Sequence, residues 1–436
     1  MLYQERRDFI RKTLIGGLLS AIQLPLLAAD DSPIAQELLK KRFSLPKSDA
    51  DWAKVRKQFP LNDKPVYFNS AGLGPSPEVV VDTLCEWTKK LEELGDTGRK
   101  YTKSPHQTLA DFFGVPQFSV AVTRNTTEGI NIVARSLDLK PGDEVILTRH
   151  EHIGGSAAWV ALHKEIGIQV KLVELDLSGK ENFDRITQAV TDKTKVISFS
   201  HITCTTGLRL PAKEIAQFCR ERGIYSCVDG AQSAGMIRVN LSEMNPDFYV
   251  SSGHKWLMGP KGSGLLYINP ETIKNITPIF SGAYTDSEFD LANLEMKYIQ
   301  KTTREEYGTR NAPQVLALES AVKFLNQFGI DEIEKRGLHL AEYLKKGLNE
   351  IPEIEVISPM DREYASAIVT FRIKGMPFHD AYLDLMKTYR CRLRVIFEND
   401  LEAIRASCAI YNTEKDLDFL LESLRTMVAV NAQKEG

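Results

Sequence analysis

The sequence predicts an α/β protein in which a mostly parallel sheet, covered by helices on both faces, is followed by a smaller α+β region. Three observations carry this. Apolar runs at 144–148, 170–175, 195–200 and 224–228 have strand character. Stretches of helical length lie around them at 126–137, 155–167 and 211–222, the last with Pro211 suited to a first helical position. That alternation over about two hundred residues is the pattern of parallel strands buried on both faces. Beyond about residue 312 the texture changes to longer helical patterns, 313–328 and 331–350, with strand candidates at 367–373 and 392–396.

Composition sets the outer bounds. The 436 residues are 43% hydrophobic, enough for roughly two or three domains. The 55 basic residues nearly balance the 58 acidic ones, for a net charge of −3, which argues against a nucleic-acid or polybasic membrane partner. Six cysteines with no CxxC pair form neither a disulfide scaffold nor a zinc knuckle, so no metal is expected. They read as mostly free and buried.

Taken in order, the first 29 residues stand apart. Arg6-Arg7-Asp8-Phe9-Ile10-Arg11-Lys12 precedes an uncharged run from Thr13 to Ala29 that shows no helical face. The run is shorter than the ~20 residues of a membrane span. A charged start, apolar middle and small-residue end form a secretory signal, and the twin arginines resemble a twin-arginine export signal. Leu27-Ala28-Ala29 is a partial cleavage match. A polar stretch to about Asn62 then leads to Val66-Tyr67-Phe68-Asn69, a short strand entering a turn-rich loop at Gly72, Gly74, Pro75 and Pro77.

Ligands of parallel α/β sheets bind at the carboxyl ends of strands, so those loops hold the candidate site. Residues 123–131 place Thr126 and Thr127 before a helix, either as an N-cap or as a phosphate seat. Residues 228–235 put Asp229 directly after a buried strand, either as a cap or as a carboxylate facing a bound cation. Residues 251–267 run Ser251-Ser252-Gly253-His254-Lys255-Trp256-Leu257-Met258-Gly259-Pro260-Lys261-Gly262-Ser263-Gly264-Leu265-Leu266-Tyr267. Lys255, between apolar residues and glycines, is kept from water, which favours the free amine, a nucleophile toward carbonyls.

Together these segments resemble the class V aminotransferase family of fold type I pyridoxal 5'-phosphate (PLP) enzymes, from about residue 52 to 428. The resemblance implies a sheet of seven-stranded type. With the N-terminal signal it gives four regions: a twin-arginine signal at 1–29, an N-terminal segment packing on the small domain at 30–75, a large PLP-binding domain at 76–312 and a small C-terminal domain at 313–436. Lys255 would bond covalently to PLP and later move the Cα proton. Asp229 would pair with the pyridine nitrogen, Gln232 would donate to the ring hydroxyl, and His152 would stack on the ring, with Trp159 nearby. Thr126, Thr127, Ser252 and His254 would hold the phosphate. Thr309, in Tyr307-Gly308-Thr309, would reach the phosphate of a neighbouring subunit, implying a homodimer with shared sites. Arg405 would grip the substrate α-carboxylate, with Asn69 beside the substrate.

Departures bear on the reaction. Cysteine desulfurases carry a nucleophilic cysteine in an R-x-G-x-x-C loop, whereas residues 390–401 contain no glycine and Cys391 is misplaced for that role. Cys408 reads as a packed core residue, and Cys204 stands where many relatives carry asparagine. Arg392 and Arg394 either contact substrate or face solvent. The segment Phe68 to Pro75 and the closing Tyr411-Asn412-Thr413 look closest to the isopenicillin-N-epimerase-like branch. The resemblance thus implies an enzyme acting on a small amino-acid substrate through a Cα carbanion, as aminotransferase, epimerase or lyase. The alternatives are a cysteine desulfurase or selenocysteine lyase, and a PLP-fold binding protein without turnover. The signal implies passage through the twin-arginine machinery to the periplasm; if the segment is instead an amphipathic surface helix or a frayed terminus, the protein is cytoplasmic.

Overall fold

The structure, a computed structural model, describes residues 49–435; the twin-arginine segment at 1–29 and the start of the segment at 30–75 lie outside the described residues. The chain runs through α1 (Asp49–Arg56), β1 (Val66–Tyr67), α2 (Glu78–Leu94) and α3 (Lys103–Phe113) before entering the central sheet. The sheet is built from β2 (Val120–Thr123), α4 (Thr126–Ser136), β3 (Glu144–Thr148), α5 (Ile153–Ile166), β4 (Gln169–Val173), α6 (Asn182–Gln188) and β5 (Thr194–Ser200). It continues with α7 (Ala212–Glu221), β6 (Tyr225–Asp229), α8 (Leu241–Met244), β7 (Phe248–Ser252) and β8 (Gly264–Ile268). Pro211 sits at the N-cap of α7, one residue ahead of the first helical position read from the sequence.

The seven strands lie in the order β2-β8-β7-β6-β5-β3-β4. Only β8 runs antiparallel to its neighbours. The pairings β7–β6, β6–β5, β5–β3 and β3–β4 are parallel. β2 therefore shares the direction of β7, and the loops after β2, β3, β5, β6 and β7 all open on one sheet edge. The register puts Ser200 opposite Asp229. Strands β2, β3, β6, β7 and β8 are buried along almost their whole length, which is why their sequences are mostly apolar, with polar residues confined largely to their ends.

The remaining elements are a hairpin, β9 (Asp286–Asp290) and β10 (Glu295–Tyr298), then α9 (Ala312–Asn326), α10 (Ile330–Asn349), β11 (Ile354–Val356) and β12 (Ile368–Ile373). They end with α11 (Phe378–Lys387), β13 (Cys391–Arg392), β14 (Arg394–Ile396), β15 (Ala403–Ser407) and α12 (Glu414–Glu435). α9 lies against α2 and α3. β11-β12-β15-β14 form an antiparallel sheet. Its core gathers Leu340, Leu344, Phe371, Leu385, Ile404, Leu417 and Leu420. β1 adds to this region by pairing in parallel with β13, Val66 opposite Cys391 and Tyr67 opposite Arg392. Phe68, 0% exposed, is drawn into the same core. Burying such a ring contributes about 2–3 kcal/mol, enough to fix the chain that follows it. The main chain holds it too: Ser407 N–H donates to Phe68 O at 2.8 Å. Asn69 is thereby set beside β15 and Arg405.

Five of the six cysteines are buried, Cys85 is exposed, and none is paired.

Candidate active site

One end of the pocket is the N-terminus of α4. Asn125, not Thr126, is the N-cap, its Oδ1 accepting from Glu128 N–H at 2.9 Å. That frees Thr126, the first helical residue, to bond the next strand: its N–H donates to Ser252 Oγ at 3.2 Å and the two hydroxyls meet at 2.8 Å. The Thr127 hydroxyl lies against Gly154, where a Cβ would come within 2.5 Å of it. His254 Nδ1 is 3.2 Å from Ser263 O, which leaves Nε2 available. Hydroxyls and N–H groups at a helix N-terminus form an anion seat. Thr309 is not part of it in the same chain. It lines a separate cavity of about 400 Å³ with Arg99, Arg124, Tyr307 and Arg310.

The middle of the pocket is built by the ends of β3 and β6 and by the β7–β8 connection. Asp229 is 5% exposed, and among the described residues its carboxylate accepts one hydrogen bond, Ala231 N–H to Oδ1 at 2.8 Å. Burial pushes its carboxyl above the usual range while the Lys255 ammonium pulls it down. Gly155 faces it: a Cβ there would sit 3.1 Å from Asp229 Oδ2. Gln232 is held at both ends, with Trp256 Nε1 donating to its Oε1 at 2.7 Å and its Nε2 donating to Ala71 O at 3.0 Å. The second amide hydrogen remains for a ligand. His152 caps α5 through Nδ1, which accepts Gly154 N–H at 3.0 Å, so the proton of the neutral ring is on Nε2. Burial, then the Lys255 charge, lowers its pKa to about 4.

Lys255 is half-buried on the pocket wall, and its Nζ has no hydrogen-bond partner among the described residues. Burial lowers its pKa below the ordinary lysine range, with Asp229 opposing. The main chain just ahead of it is gripped by Gly74, whose N–H donates to the carbonyl of His254 at 2.8 Å. A Cβ on Gly74 would fall 1.9 Å from Lys255 O, so only glycine fits there.

Arg405 supplies the third side. It is 1% exposed on β15; its Nη1 donates to Cys204 O at 2.6 Å and its Nη2 to Asn69 Oδ1 at 3.2 Å. Nε is buried without a partner. A guanidinium has five N–H donors, so three remain, enough for a carboxylate fork. Burial, then Arg394, lowers its pKa to about 10, and it stays cationic at neutral pH.

Of the site residues read from the sequence, Thr126, Thr127, His152, Asp229, Gln232, Ser252, His254, Lys255 and Arg405 line one cavity of about 340 Å³, and Asn69 and Thr309 do not. Asn69 reaches it through Arg405. An anion seat, a poised amine, and a buried carboxylate and a buried guanidinium that have no ion-pair partner among the described residues fit the phosphate, aldehyde, ring nitrogen and amino-acid carboxylate of PLP chemistry.

The profile of the class-V aminotransferases matches residues 66–420. The chain belongs to that family. Among relatives of this class-V protein, a probable cysteine desulfurase of Pyrococcus abyssi is 28% identical over 393 residues, covering 86% of this chain and 97% of the relative. One from Staphylococcus aureus is 28% identical over 402 residues, covering 86% and 96%. Of solved structures, apo cysteine desulfurase from Thermococcus onnurineus superposes with TM-score 0.79 at 26% identity, covering 89% of this chain and 99% of that one. The cystine C–S lyase C-DES, solved with its product cysteine persulfide, gives TM-score 0.78 at 29% identity, covering 84% and 99%. The class-V protein shares their fold type I architecture.

Sequence reasoning missed Glu151 as a site residue. It accepts from Thr148 Oγ1 at 2.6 Å, Ser200 N–H at 3.1 Å and Ser200 Oγ at 2.6 Å. Burial raises its carboxyl to about 7 against those bonds, with the Asp229 charge adding. An acid directly before His152 at a strand end was the available signal. Trp159, read as near the ring, is a core residue whose indole donates to Ser198 Oγ at 3.2 Å. Of the two open arginines, Arg394 lines the cavity, while Arg392 donates to the Tyr382 hydroxyl at 2.8 Å. Cys391 and Cys408 lie in the small-sheet core, and Cys204 lines the cavity with its thiol pKa raised by burial.

Proposed function

We propose that this class-V protein is a PLP-dependent enzyme that removes the Cα proton of an amino-acid substrate. The observation carrying this is the convergence of Lys255, Asp229 and Arg405 on one cavity. Thr126, Thr127, Ser252 and His254 would hold the phosphate, and Asp229, Gln232 and His152 the ring. When bound, PLP supplies an electron sink that makes the Cα–H bond acidic. The chain's own groups do the rest. Arg405 holds the α-carboxylate and so orients Cα. Burial disfavours the ammonium form of Lys255, whose amine accepts and returns the proton. Asp229 keeps a positive charge on its partner nitrogen, and neutral His152 shields that face from water.

Within this reading, elimination at Cβ fits better than cysteine-mediated sulfur transfer, because neither Cys391 nor Cys408 faces the cavity. Cysteine desulfurase is the second reading. The names of the relatives favour it, as does the thiol of Cys204 at the cavity wall. The epimerase-like segment Phe68 to Pro75 keeps racemisation in the set. Incubating the PLP-loaded protein with L-cysteine, L-cystine and a panel of other amino acids, with product analysis, separates these. Sulfide and alanine from cysteine would select the desulfurase; keto acid, D-isomer or pyruvate would select the others; no change in any amino acid would leave a binding protein.

We further propose a homodimer with sites completed by the partner's Thr309, supported by its position away from its own chain's cavity. Sedimentation and a Thr309→Ala variant with weakened PLP retention test it. Export by the twin-arginine route rests on Arg6 and Arg7; replacing both with lysine is expected to retain the protein inside the cell.

A further inference from the structure

Two guanidinium groups stand side by side at the cavity. Arg394 on β14 and Arg405 on β15 are cross-strand partners in the antiparallel register, so their side chains share one face of the sheet. Like charges so placed repel, and the structure supplies only one nearby carboxylate to offset them. Arg394 Nη2 donates to Glu398 Oε1 at 2.5 Å, the two side chains 24% and 17% exposed. Among the described residues Arg405 has no acidic partner, only Cys204 O and Asn69 Oδ1. Glu398 Oε2 is buried with no partner. The segment carrying Glu398 is strained: Asn399, Asp400 and Glu402 all have left-handed backbones, φ 54, 53 and 45°. The cavity thus holds one more cation than its own acids neutralise at this wall, and the second cation is covered by a carboxylate on a loop.

Resting on the proposed amino-acid chemistry, we infer that Arg394 is a specificity-determining residue that selects substrates bearing a second, distal carboxylate, which takes the place of Glu398 on its guanidinium. Arg405 holds the α-carboxylate and Arg394 the distal one. That distal group comes either from a dicarboxylic amino acid or from the second head of a bis-amino acid. Arg394 keeps free N–H donors beyond the one given to Glu398, so a guest carboxylate can engage before Glu398 leaves.

The test uses the PLP-loaded protein and non-reacting ligands, glutarate against butyrate, with affinity read by calorimetry. Glutarate is expected to bind at least about tenfold more tightly than butyrate. Arg394→Gln erases that preference while butyrate affinity holds, and Glu398→Gln enlarges it. L-Glutamate and L-cystine, each compared with L-alanine by displacement of glutarate, separate the two sources; an advantage for either supports the inference when Arg394→Gln removes it. Equal binding of glutarate and butyrate, or a shift in the same direction for both variants, overturns it. PLP retention after borohydride, measured on the same preparations, reports the underlying enzyme reading separately, so either can fail alone.

Discussion

Replacing Arg405 with lysine keeps the charge and removes the fork. In the structure Arg405 spends two donors on Cys204 O and Asn69 Oδ1 and leaves three, including the buried Nε–H. An α-carboxylate can take two of these in parallel. Lysine has a compact head and makes one such bond at this site, so one hydrogen bond to a charged group is lost. That is about 1.5–3 kcal/mol, or roughly a ten- to 150-fold weaker dissociation constant. Cys204 O is also left without its donor in a site where Arg405 is 1% exposed, so stability falls by about 1–3 kcal/mol as well. The assay titrates PLP-loaded wild type and Arg405→Lys with an α-amino acid and with the matching amine lacking a carboxylate. The amino acid is expected to lose the full factor and the amine almost none. Equal losses for both ligands, or no loss for either, would refute the assignment of Arg405 to the carboxylate.

Other perturbations test the supports of the site. Gly74→Ala drives a methyl into Lys255 O, so a loss of about 1–3 kcal/mol or more in stability is expected, read by denaturant unfolding together with impaired covalent retention of PLP; a silent substitution would mean the Lys255 main chain is not held by this contact. Glu151 titrates at about 7 when folded, above its unfolded value, so its contribution to stability is present at low pH and lost as pH rises through that value. Glu151→Gln is accordingly expected to gain on wild type in melting temperature between pH 5 and pH 8, and a constant offset would count against the buried charge. His201 and His152 act the other way. Burial lowers them to about 3 and about 4, so the unfolded chain binds more protons and stability falls as pH drops from 6.5 toward 4. His201→Asn, at a residue that lines a different cavity from the cofactor groups, is expected to flatten that acid limb of the melting curve; an unchanged limb would assign it to other groups.

Much of the site was legible because its chemistry sits at the ends of apolar strands. Val228-Asp229 and Ser252 to Lys255 announce themselves as polar residues closing buried runs, and the structure puts them on one sheet edge. The strand at 144–148 and the helix begun near residue 330 follow from periodicity alone. What escaped depends on contacts between distant segments. The β9–β10 hairpin is charged and exposed, Leu294 being 87% exposed, so no burial pattern marks it. Glu151 and Arg394 gain their meaning from Ser200 and from the β14–β15 register, neither of which is local. Asn125 displaced Thr126 as cap because Ser252, far along the chain, engages the threonine.

The central claim is that Lys255 is the residue that holds PLP. Reducing the PLP-treated protein with borohydride and mapping its peptides by mass tests it most directly. The account predicts a pyridoxyl adduct on Lys255 alone, absent in Lys255→Ala. An adduct on another lysine, or none on any, would contradict it.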